Sequence, residues 1–338
     1  MERDWKMEKQ EKKEFLEREV IKIAFRAYDR KLTAGTGGNI SARLDDEHVL
    51  ISKSGSSLGL LGPDDILKVN LKGELISGQG KPSSETPVHT AIYQRLQPEA
   101  ILHSHPSMIS ALALSDIPFA PLTFEPTILL GNVPIIPQQS FNIINIDEVV
   151  EALKENNIVI LQHHGVLAIG DTLQDAFLLT DLLETTAQTI IVSRNLGSIT
   201  PLPAPSPKSK NHPAEKVEPF SRSHQELLCK LANQDAEMKT LGKSFDFTTT
   251  IAFRFSDLEQ TWFFSVDQGT LAPKKELEAP DLLFSGTSDM WKNIFSGKTS
   301  FFPALFQGKI AMQGNDRNLA QWYLPLQCLF EIAAFLKA

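Results

Sequence analysis

One apolar run that ends in two histidines constrains this chain more than any other stretch. Residues 101–106 read Ile-Leu-His-Ser-His-Pro, so His103 and His105 are spaced i and i+2. Successive side chains of a β-strand point to opposite faces, so these two imidazoles share one face while Ser104 points away. Imidazole suits zinc, copper, iron and nickel. We therefore predict a metal site at this strand end, in preference to the simpler alternative of one core and one surface histidine.

A second pair of histidines follows a second apolar strand. Residues 158–161 read Ile-Val-Ile-Leu, and His163 and His164 follow after one glutamine. If side-chain alternation continues past the strand, one of these two histidines faces the same cleft as His103 and His105, and the other does not. Three protein ligands with an open position are typical of a catalytic zinc site, whereas a structural site uses four.

Three loops rich in glycine and hydroxyl groups accompany these strands, at residues 33–41, 53–57 and 81–87. Such loops let the backbone approach a ligand closely and supply N–H groups to an anion. The third loop opens a helix with Ser84 as its expected N-cap, and a helix N-terminus is a suitable seat for a phosphate. Glu85 is either a first-turn acid that complements the helix dipole or a catalytic base.

These features together indicate one kind of chemistry. A Lewis-acid metal polarises a carbonyl and its neighbouring hydroxyl, a carboxylate removes a proton, and an enediolate results. A phosphate seat beside them would hold the substrate.

Composition and charge argue against several other classes of protein. The chain has 338 residues and a formal net charge of -8 without a large basic block, so nucleic acid is not an expected partner. The two cysteines, Cys229 and Cys328, cannot form a disulfide framework, and they lack the spacing of a zinc-binding cysteine pair. We therefore expect reduced, buried thiols in a cytoplasmic protein. No apolar run approaches the roughly 20 residues of a membrane span. Residues 1–19 lack the apolar region of a signal peptide.

The chain divides into two parts joined by a linker. We predict a catalytic domain over residues 1–196, a proline-rich linker over 197–219 and a smaller domain over 220–338. The second part holds most of the phenylalanines, which predicts a small α+β module with an aromatic core or an apolar pocket.

Helical periodicity predicts long helices over residues 9–30 and 173–195, and alternation predicts an antiparallel meander over 49–71. In the second part, a single amphipathic helix is expected over 223–241. The fold class is therefore α/β of the α+β type.

Residues from about 15 to 196 resemble the class II aldolase/adducin family, which includes aldolases, 4-epimerases and dehydratases of sugar phosphates. Five segments occur in the family's order, namely residues 36–41, 54–55, 81–85, 103–105 and 162–165. The resemblance implies a three-layer αβα fold around a mainly antiparallel sheet, and a homotetramer.

The resemblance also implies roles for individual residues. His103, His105 and His164 would bind zinc or another divalent metal, and Glu85 would be the acid–base residue. The substrate phosphate would be bound by Gly38, Asn39, Ser54, Gly55, Ser83 and Ser84. Aldolases of this family use tyrosines as the general acid, and none of Tyr28, Tyr93 and Tyr323 is assigned that role here.

Residues from about 220 to 338 resemble an SCP2 sterol-carrier domain, which implies an apolar cavity for a lipid or acyl ligand. The expected function is thus a metal-dependent aldolase-type lyase that cleaves a small phosphorylated ketose through an enediolate, with an appended apolar-ligand module. The alternatives are a sugar-phosphate 4-epimerase, a methylthioribulose-phosphate dehydratase, and a non-catalytic adducin-like or lipid-binding protein.

Overall fold

A computed structural model describes residues 9–199, 218–276, 279–314, 319 and 322–334. These residues form two compact units, separated in the sequence near residue 200. The linker predicted for residues 197–219 falls mostly on residues 200–217, which lie outside the described residues. None of the described helices is long and apolar enough to cross a membrane. Cys229 and Cys328 are both buried, as expected.

The first unit alternates strands and helices. Its helices are α1 (Lys9–Asp29), α2 (Thr86–Leu96), α3 (Ser107–Ala113), α4 (Phe124–Leu129), α5 (Ile146–Glu155) and α6 (Leu173–Leu196). Its strands are β1 (Asn39–Arg43), β2 (His48–Ser52), β3 (Ile66–Asn70), β4 (Leu75–Ser77), β5 (Ala100–Ser104), β6 (Ile135–Pro137), β7 (Ile158–Gln162) and β8 (Gly165–Gly170).

These eight strands form one sheet in the order β4-β3-β2-β1-β5-β8-β7-β6. All neighbours are antiparallel except β6 and β7, which are parallel. The predicted mainly antiparallel sheet is therefore confirmed. Because neighbouring strands run in opposite directions, the ends of β2, β5 and β7 meet the starts of β1 and β8 at one end of the sheet.

Two separate hydrophobic cores cover the two faces of this sheet. One contains residues of α1 and α6, such as Ile23 and Phe177, together with Leu102 of β5. The other contains residues of α2 and α5, together with Ile101. This arrangement gives the three αβα layers that were predicted. His103 lies two residues after Ile101, so its side chain faces the layer of α2 and α5.

Local signals explain several element boundaries. Thr172 caps α6 by accepting a hydrogen bond from the Asp175 backbone N–H, as expected for a threonine before a long amphipathic helix. The predicted cap of α2 is wrong by one residue. Glu85 occupies the N-cap position, and the hydroxyl of Ser83 accepts a hydrogen bond from the Glu85 N–H at 3.2 Å.

The strands of the second unit are β9 (Thr249–Phe255), β10 (Gln260–Asp267), β11 (Thr270–Lys274), β12 (Leu282–Gly286) and β13 (Ala311–Gly314). They form one sheet in the order β11-β10-β9-β12-β13, in which only β9 and β12 are parallel. The helices of this unit are α7 (Arg222–Gln234), α8 (Ala236–Ser244), α9 (Ser288–Phe295), α10 (Phe301–Phe306) and α11 (Tyr323–Ala333).

The aromatic core predicted for this unit is present. Phe253 of β9 packs against Trp291 with ring centroids 5.0 Å apart, and Phe301 stacks on Phe330 at 3.9 Å. The single helix predicted over residues 223–241 is wrong. The chain breaks at Asp235, whose carboxylate accepts a hydrogen bond from the Met238 N–H and so caps a second helix.

Candidate metal centre

Three histidine side chains converge at the end of the first sheet. His103 lies in β5, His105 follows that strand, and His164 lies in the turn between β7 and β8. The Nε2 atoms of His103 and His105 are 3.0 Å apart. One nitrogen from each of the three rings lies within 4.8 Å of the others. The structure therefore brings together the three histidines that the sequence singled out.

A hydrogen bond fixes the orientation of the most deeply buried of these rings. His103 is only 1% exposed, and its Nδ1 lies 2.9 Å from the carbonyl oxygen of Val166 on the neighbouring strand β8. Because a carbonyl can only accept, Nδ1 carries the proton and Nε2 keeps its lone pair. Such a partner on the second nitrogen is typical of histidine ligands of metals.

Glycines allow the backbone to come close to these rings. A Cβ on Gly37 would lie 2.7 Å from Nδ1 of His105, and one on Gly38 would lie 2.6 Å from the carbonyl oxygen of His103. Gly38 also has a φ of +78°, in the left-handed region that favours glycine. The first glycine-rich loop is therefore packed directly against the histidine strand.

Burial keeps the three imidazoles neutral. It lowers the pKa of His103 well below its usual range, and the neighbouring His105 and His164 lower that pKa further. Burial also lowers the pKa of His105 to about 4, with His164 contributing, and lowers the pKa of His164. Neutral rings are what a metal requires, since a protonated imidazole has no lone pair to give.

A tight turn determines which of His163 and His164 faces the other two histidines. His163 and His164 connect β7 to β8, and the φ of His163 is +68°. His163 points to solvent, while His164 turns back toward the other two rings. The alternation used in the sequence analysis does not extend through this turn, although one histidine of the pair does face the cleft as predicted.

Glu85 lies at the start of α2, on the same side of the sheet as His103. Its side chain is 5% exposed, and Ile143 donates its backbone N–H to Oε2 at 3.4 Å. Two residues earlier, the ring of Phe141 lies over His164 with centroids 6.3 Å apart. Segment 141–143 thus contacts both the carboxylate and one imidazole. Burial raises the pKa of Glu85, and the Ile143 hydrogen bond opposes this effect.

The proposed anion loops also meet at this end of the sheet. Asn39 pairs with His103 across β1 and β5. Ser52 accepts a hydrogen bond from the Ile40 N–H through its hydroxyl and from the Ser83 N–H through its carbonyl, both at 3.2 Å. These bonds connect the first glycine-rich loop to the third.

The second loop joins the third in the same way. Ser54 donates its N–H to the Lys81 carbonyl at 2.9 Å. Gly55 has a φ of +79°, with no atom of the described residues within 4 Å of the position of a Cβ, and Ser84 is exposed. All six residues predicted for phosphate therefore lie in loops that are hydrogen-bonded to one another or paired with the histidine strand.

A buried hydrogen-bonded group beneath the site was missed by sequence reasoning. His89 is fully buried, and its Nδ1 lies 2.7 Å from the hydroxyl of Ser41, which lies 2.9 Å from the hydroxyl of Tyr93. One signal could have revealed it, because Glu85, His89 and Tyr93 are spaced i, i+4 and i+8 and so share one face of α2.

Comparison with known proteins agrees with this fold. The family profile described as Class II Aldolase and Adducin N-terminal domain matches residues 18–191. The chain belongs to the class II aldolase and adducin family. The profile of the SCP-2 sterol transfer family matches residues 226–325, within the second unit.

The aligned region covers most of the length of individual relatives. L-fuculose phosphate aldolase of Methanococcus maripaludis strain C7 is 34% identical over 177 residues, which are 52% of this chain and 96% of the relative. 3-Oxo-tetronate 4-phosphate decarboxylase of Escherichia coli K12 is 33% identical over 185 residues, 52% of this chain and 86% of the relative.

Solved structures show the same likeness. YgbL from Escherichia coli superposes with a TM-score of 0.52 at 31% identity, over 56% of this chain and 94% of its own. An L-fuculose 1-phosphate aldolase superposes with a TM-score of 0.51 at 25% identity, over 56% of this chain and 91% of its own.

The three imidazoles fit a divalent transition metal. Two nitrogens on one tetrahedral zinc ion lie roughly 3.4 Å apart, close to the 3.0 Å between the Nε2 atoms of His103 and His105. His103 has the tautomer that a metal needs, and Nδ1 of His164 is buried without a hydrogen-bond partner among the described residues. A neutral set of three nitrogens favours zinc over magnesium or calcium, which prefer oxygen ligands.

Proposed function

We propose that the chain is a metal-dependent lyase of the class II aldolase type that cleaves a small phosphorylated ketose through an enediolate. One observation carries the proposal: three neutral imidazoles and a set of glycine- and serine-rich loops lie together at one end of a sheet. Relatives named as L-fuculose phosphate aldolases support the same reaction class.

The roles of the metal ligands follow from their chemistry. His103, His105 and His164 would hold zinc or another divalent metal. A metal bound there would polarise the substrate carbonyl and the adjacent hydroxyl and stabilise the negative charge that develops on them. The raised pKa of Glu85 suits a group that takes up a proton during turnover and returns it.

The phosphate would be bound by backbone and hydroxyl groups rather than by a cluster of cations. The six residues proposed to contact it are Gly38, Asn39, Ser54, Gly55, Ser83 and Ser84. Their N–H and O–H groups donate to phosphate oxygens, and the start of α2 adds the positive end of a helix dipole.

A second candidate reaction is the decarboxylation of a phosphorylated 3-oxo acid. Relatives of this activity are as similar to the chain as most of the aldolases are. The positions of the three tyrosines also favour decarboxylation, because none of them is assigned as the general acid that an aldolase needs. Tyr93 is bonded to Ser41, Tyr28 lies on α1 in the opposite layer, and Tyr323 belongs to the second unit. When carbon dioxide leaves, the bonding electrons pass to the neighbouring carbonyl, and no acid is needed to protonate an aldehyde oxygen.

We further propose that the chain works as two domains, the catalytic residues 1–196 and the SCP2-like residues 220–338 joined by 197–219. The match to a sterol transfer family supports a lipid or acyl ligand for the second domain. A homotetramer is expected from the family resemblance, and several apolar side chains on α1 and α6 are exposed, including Phe25 and Leu178.

The decisive experiment is a screen of zinc-loaded protein against ketose phosphates and phosphorylated 3-oxo acids, with aldehyde, epimer, dehydration product and carbon dioxide measured separately. Aldehyde release supports the lyase, and carbon dioxide release supports the second candidate. Epimer or dehydration product alone would assign the site to one of the other reactions of the family. Zinc-loaded protein that turns over none of these substrates contradicts both proposals.

Glu85→Gln tests the proposed proton transfer. It should retain its metal but lose turnover by roughly 10²–10⁴-fold, the usual contribution of general acid–base catalysis. Glu125→Gln, a change of the same kind at an exposed position in α4, is the control and should retain full turnover. If Glu85→Gln exchanged substrate protons with solvent at the wild-type rate, the base would lie elsewhere.

A further inference from the structure

The hydrogen bonds of the buried group beneath the metal centre have only one consistent direction. Ser41 is the one hydrogen-bond partner that the described residues offer to the hydroxyl of Tyr93. Tyr93 is fully buried, and a buried O–H without an acceptor is costly, so we take the Tyr93 O–H to donate to Ser41. The Ser41 O–H then donates to Nδ1 of His89. Since Nδ1 accepts, the proton of the neutral His89 ring is on Nε2.

This assignment leaves a donor and an acceptor buried on the same side of β1. Nε2 of His89 has no hydrogen-bond partner in the described part of the chain, and neither has Oδ1 of Asn39. His89 is fully buried and Asn39 is 6% exposed. Asn39 precedes Ser41 by two residues in β1, so both side chains point toward α2, where His89 lies.

Unpaired polar atoms in a protein interior are costly, and a buried water with two to four polar partners is the usual solution. The two atoms are complementary, because Nε2–H donates and Oδ1 accepts.

The amide of Asn39 has one donating and one accepting end, and only the donating end can bind an anion. We infer that His89 is a positioning residue: through one bound water it holds Oδ1 of Asn39 inward, so that the Asn39 amide N–H groups face the substrate phosphate. This inference rests on the proposed function, because it takes Asn39 as a phosphate ligand. It adds a specific task for Tyr93, Ser41 and His89, which do not touch the substrate.

Two replacements of His89 separate this role from simple packing. Gln can place an amide N–H where Nε2–H lies in the imidazole, whereas Asn reaches only the position of Nδ1. The affinity of the zinc-loaded full-length protein for inorganic phosphate is measured by calorimetry for wild type, His89→Gln and His89→Asn. Metal content and thermal unfolding are measured on each sample.

We expect His89→Gln to bind phosphate within about threefold of wild type. His89→Asn should bind it about 10- to 100-fold more weakly, the loss expected for one misplaced hydrogen bond to a charged group. Zinc content should be equal in all three proteins. Ser54→Ala serves as a positive control and should also weaken binding, which shows that phosphate occupies the loops.

The remaining outcomes overturn the inference. If His89→Asn binds as tightly as wild type, or if both replacements weaken binding equally, the Nε2–H group does not position Asn39. If Ser54→Ala leaves the affinity unchanged, phosphate does not occupy the loops, and the assignment of Asn39 as its ligand fails. A wild-type protein that binds no phosphate overturns the proposed phosphate site together with the inference, so this failure is distinguishable from the others.

Discussion

The hydrogen bond from His103 Nδ1 to the Val166 carbonyl places one imidazole with its lone pair toward two others. A divalent ion held by three such rings loses most of its affinity when one is removed. His103→Ala should therefore weaken zinc binding by more than about 100-fold, because even the groups that only hydrogen-bond to metal ligands typically contribute 10- to 100-fold to metal affinity. Metal analysis of the purified protein measures this loss, and turnover should fall with it.

His163→Asn is the matched control for that experiment. His163 is the exposed histidine next to His164, and asparagine tolerates its φ of +68° better than alanine does. This variant should keep its zinc. A His103→Ala protein that is fully loaded and active would contradict the proposed metal centre.

A buried histidine in the second unit should make that unit sensitive to acid. His224 is 1% exposed, accepts a hydrogen bond from the Phe220 N–H through Nδ1, and packs edge-on against Trp262. Burial lowers its pKa to about 4. The native state therefore binds fewer protons than the unfolded state, and stability falls as pH drops from 6.5 toward 4, by at most about 1.4 kcal/mol per pH unit.

His224→Asn tests this dependence, because its side-chain oxygen can still accept from Phe220 but does not titrate. The free energy of unfolding should change less between pH 6.5 and 4 in the variant than in wild type. Urea denaturation followed by tryptophan fluorescence reports on this unit, which holds three of the four tryptophans. Parallel pH profiles for the two proteins would assign the acid sensitivity to another group.

At the scale of elements, the first glycine-rich loop controls how closely β1 approaches the histidine strand. Gly35 and Gly38 both have positive φ, but only Gly38 would place a Cβ against the His103 carbonyl. Gly35→Ala should cost only the strain of a left-handed backbone, about 1–2 kcal/mol. Gly38→Ala should cost more and should also weaken zinc binding. Thermal unfolding and metal titration measure the two effects, and equal losses for both variants would contradict this account.

Elements with a strong hydrophobic period were predictable, and those decided by one turn were not. The periodicity of residues 9–30 predicts the C-terminal end of α1 to within one residue, since α1 ends at Asp29. The β7–β8 turn was missed because His163 and His164 carry none of the Asn-Gly or Asp-Gly signals of a two-residue hairpin. Helix α4 was not predicted, because residues 124–129 are too few to show a helical period.

The candidate site could likewise be predicted only in part. The pattern of histidines after apolar strands indicated where the rings would meet, because strand ends are predictable from hydrophobic runs. Spacing could have shown that His89 and Tyr93 share one face of α2, but the bond between His89 and Ser41 depends on how α2 crosses β1. Pairing across elements is set by tertiary packing, which leaves only a weak trace in spacing.

At the scale of the whole molecule, every residue proposed for the metal, the proton and the phosphate lies before residue 165. A fragment of residues 1–199 should therefore keep its affinity for zinc and for inorganic phosphate. Calorimetry on this fragment and on the full chain compares the two directly. Loss of zinc affinity in a folded fragment, as judged by circular dichroism, would show that the second unit contributes to the site.

The pairing of Asn39 with His103 has a consequence for how the protein folds. A shift of β5 by one residue against its neighbours would turn His103 to the other helical layer, and the three rings would no longer meet. An ion that binds only the correctly aligned sheet stabilises that alignment alone. Metal uptake would then stabilise only the strand register in which His103, His105 and His164 come together, and would disfavour sheets that fold with a shifted register.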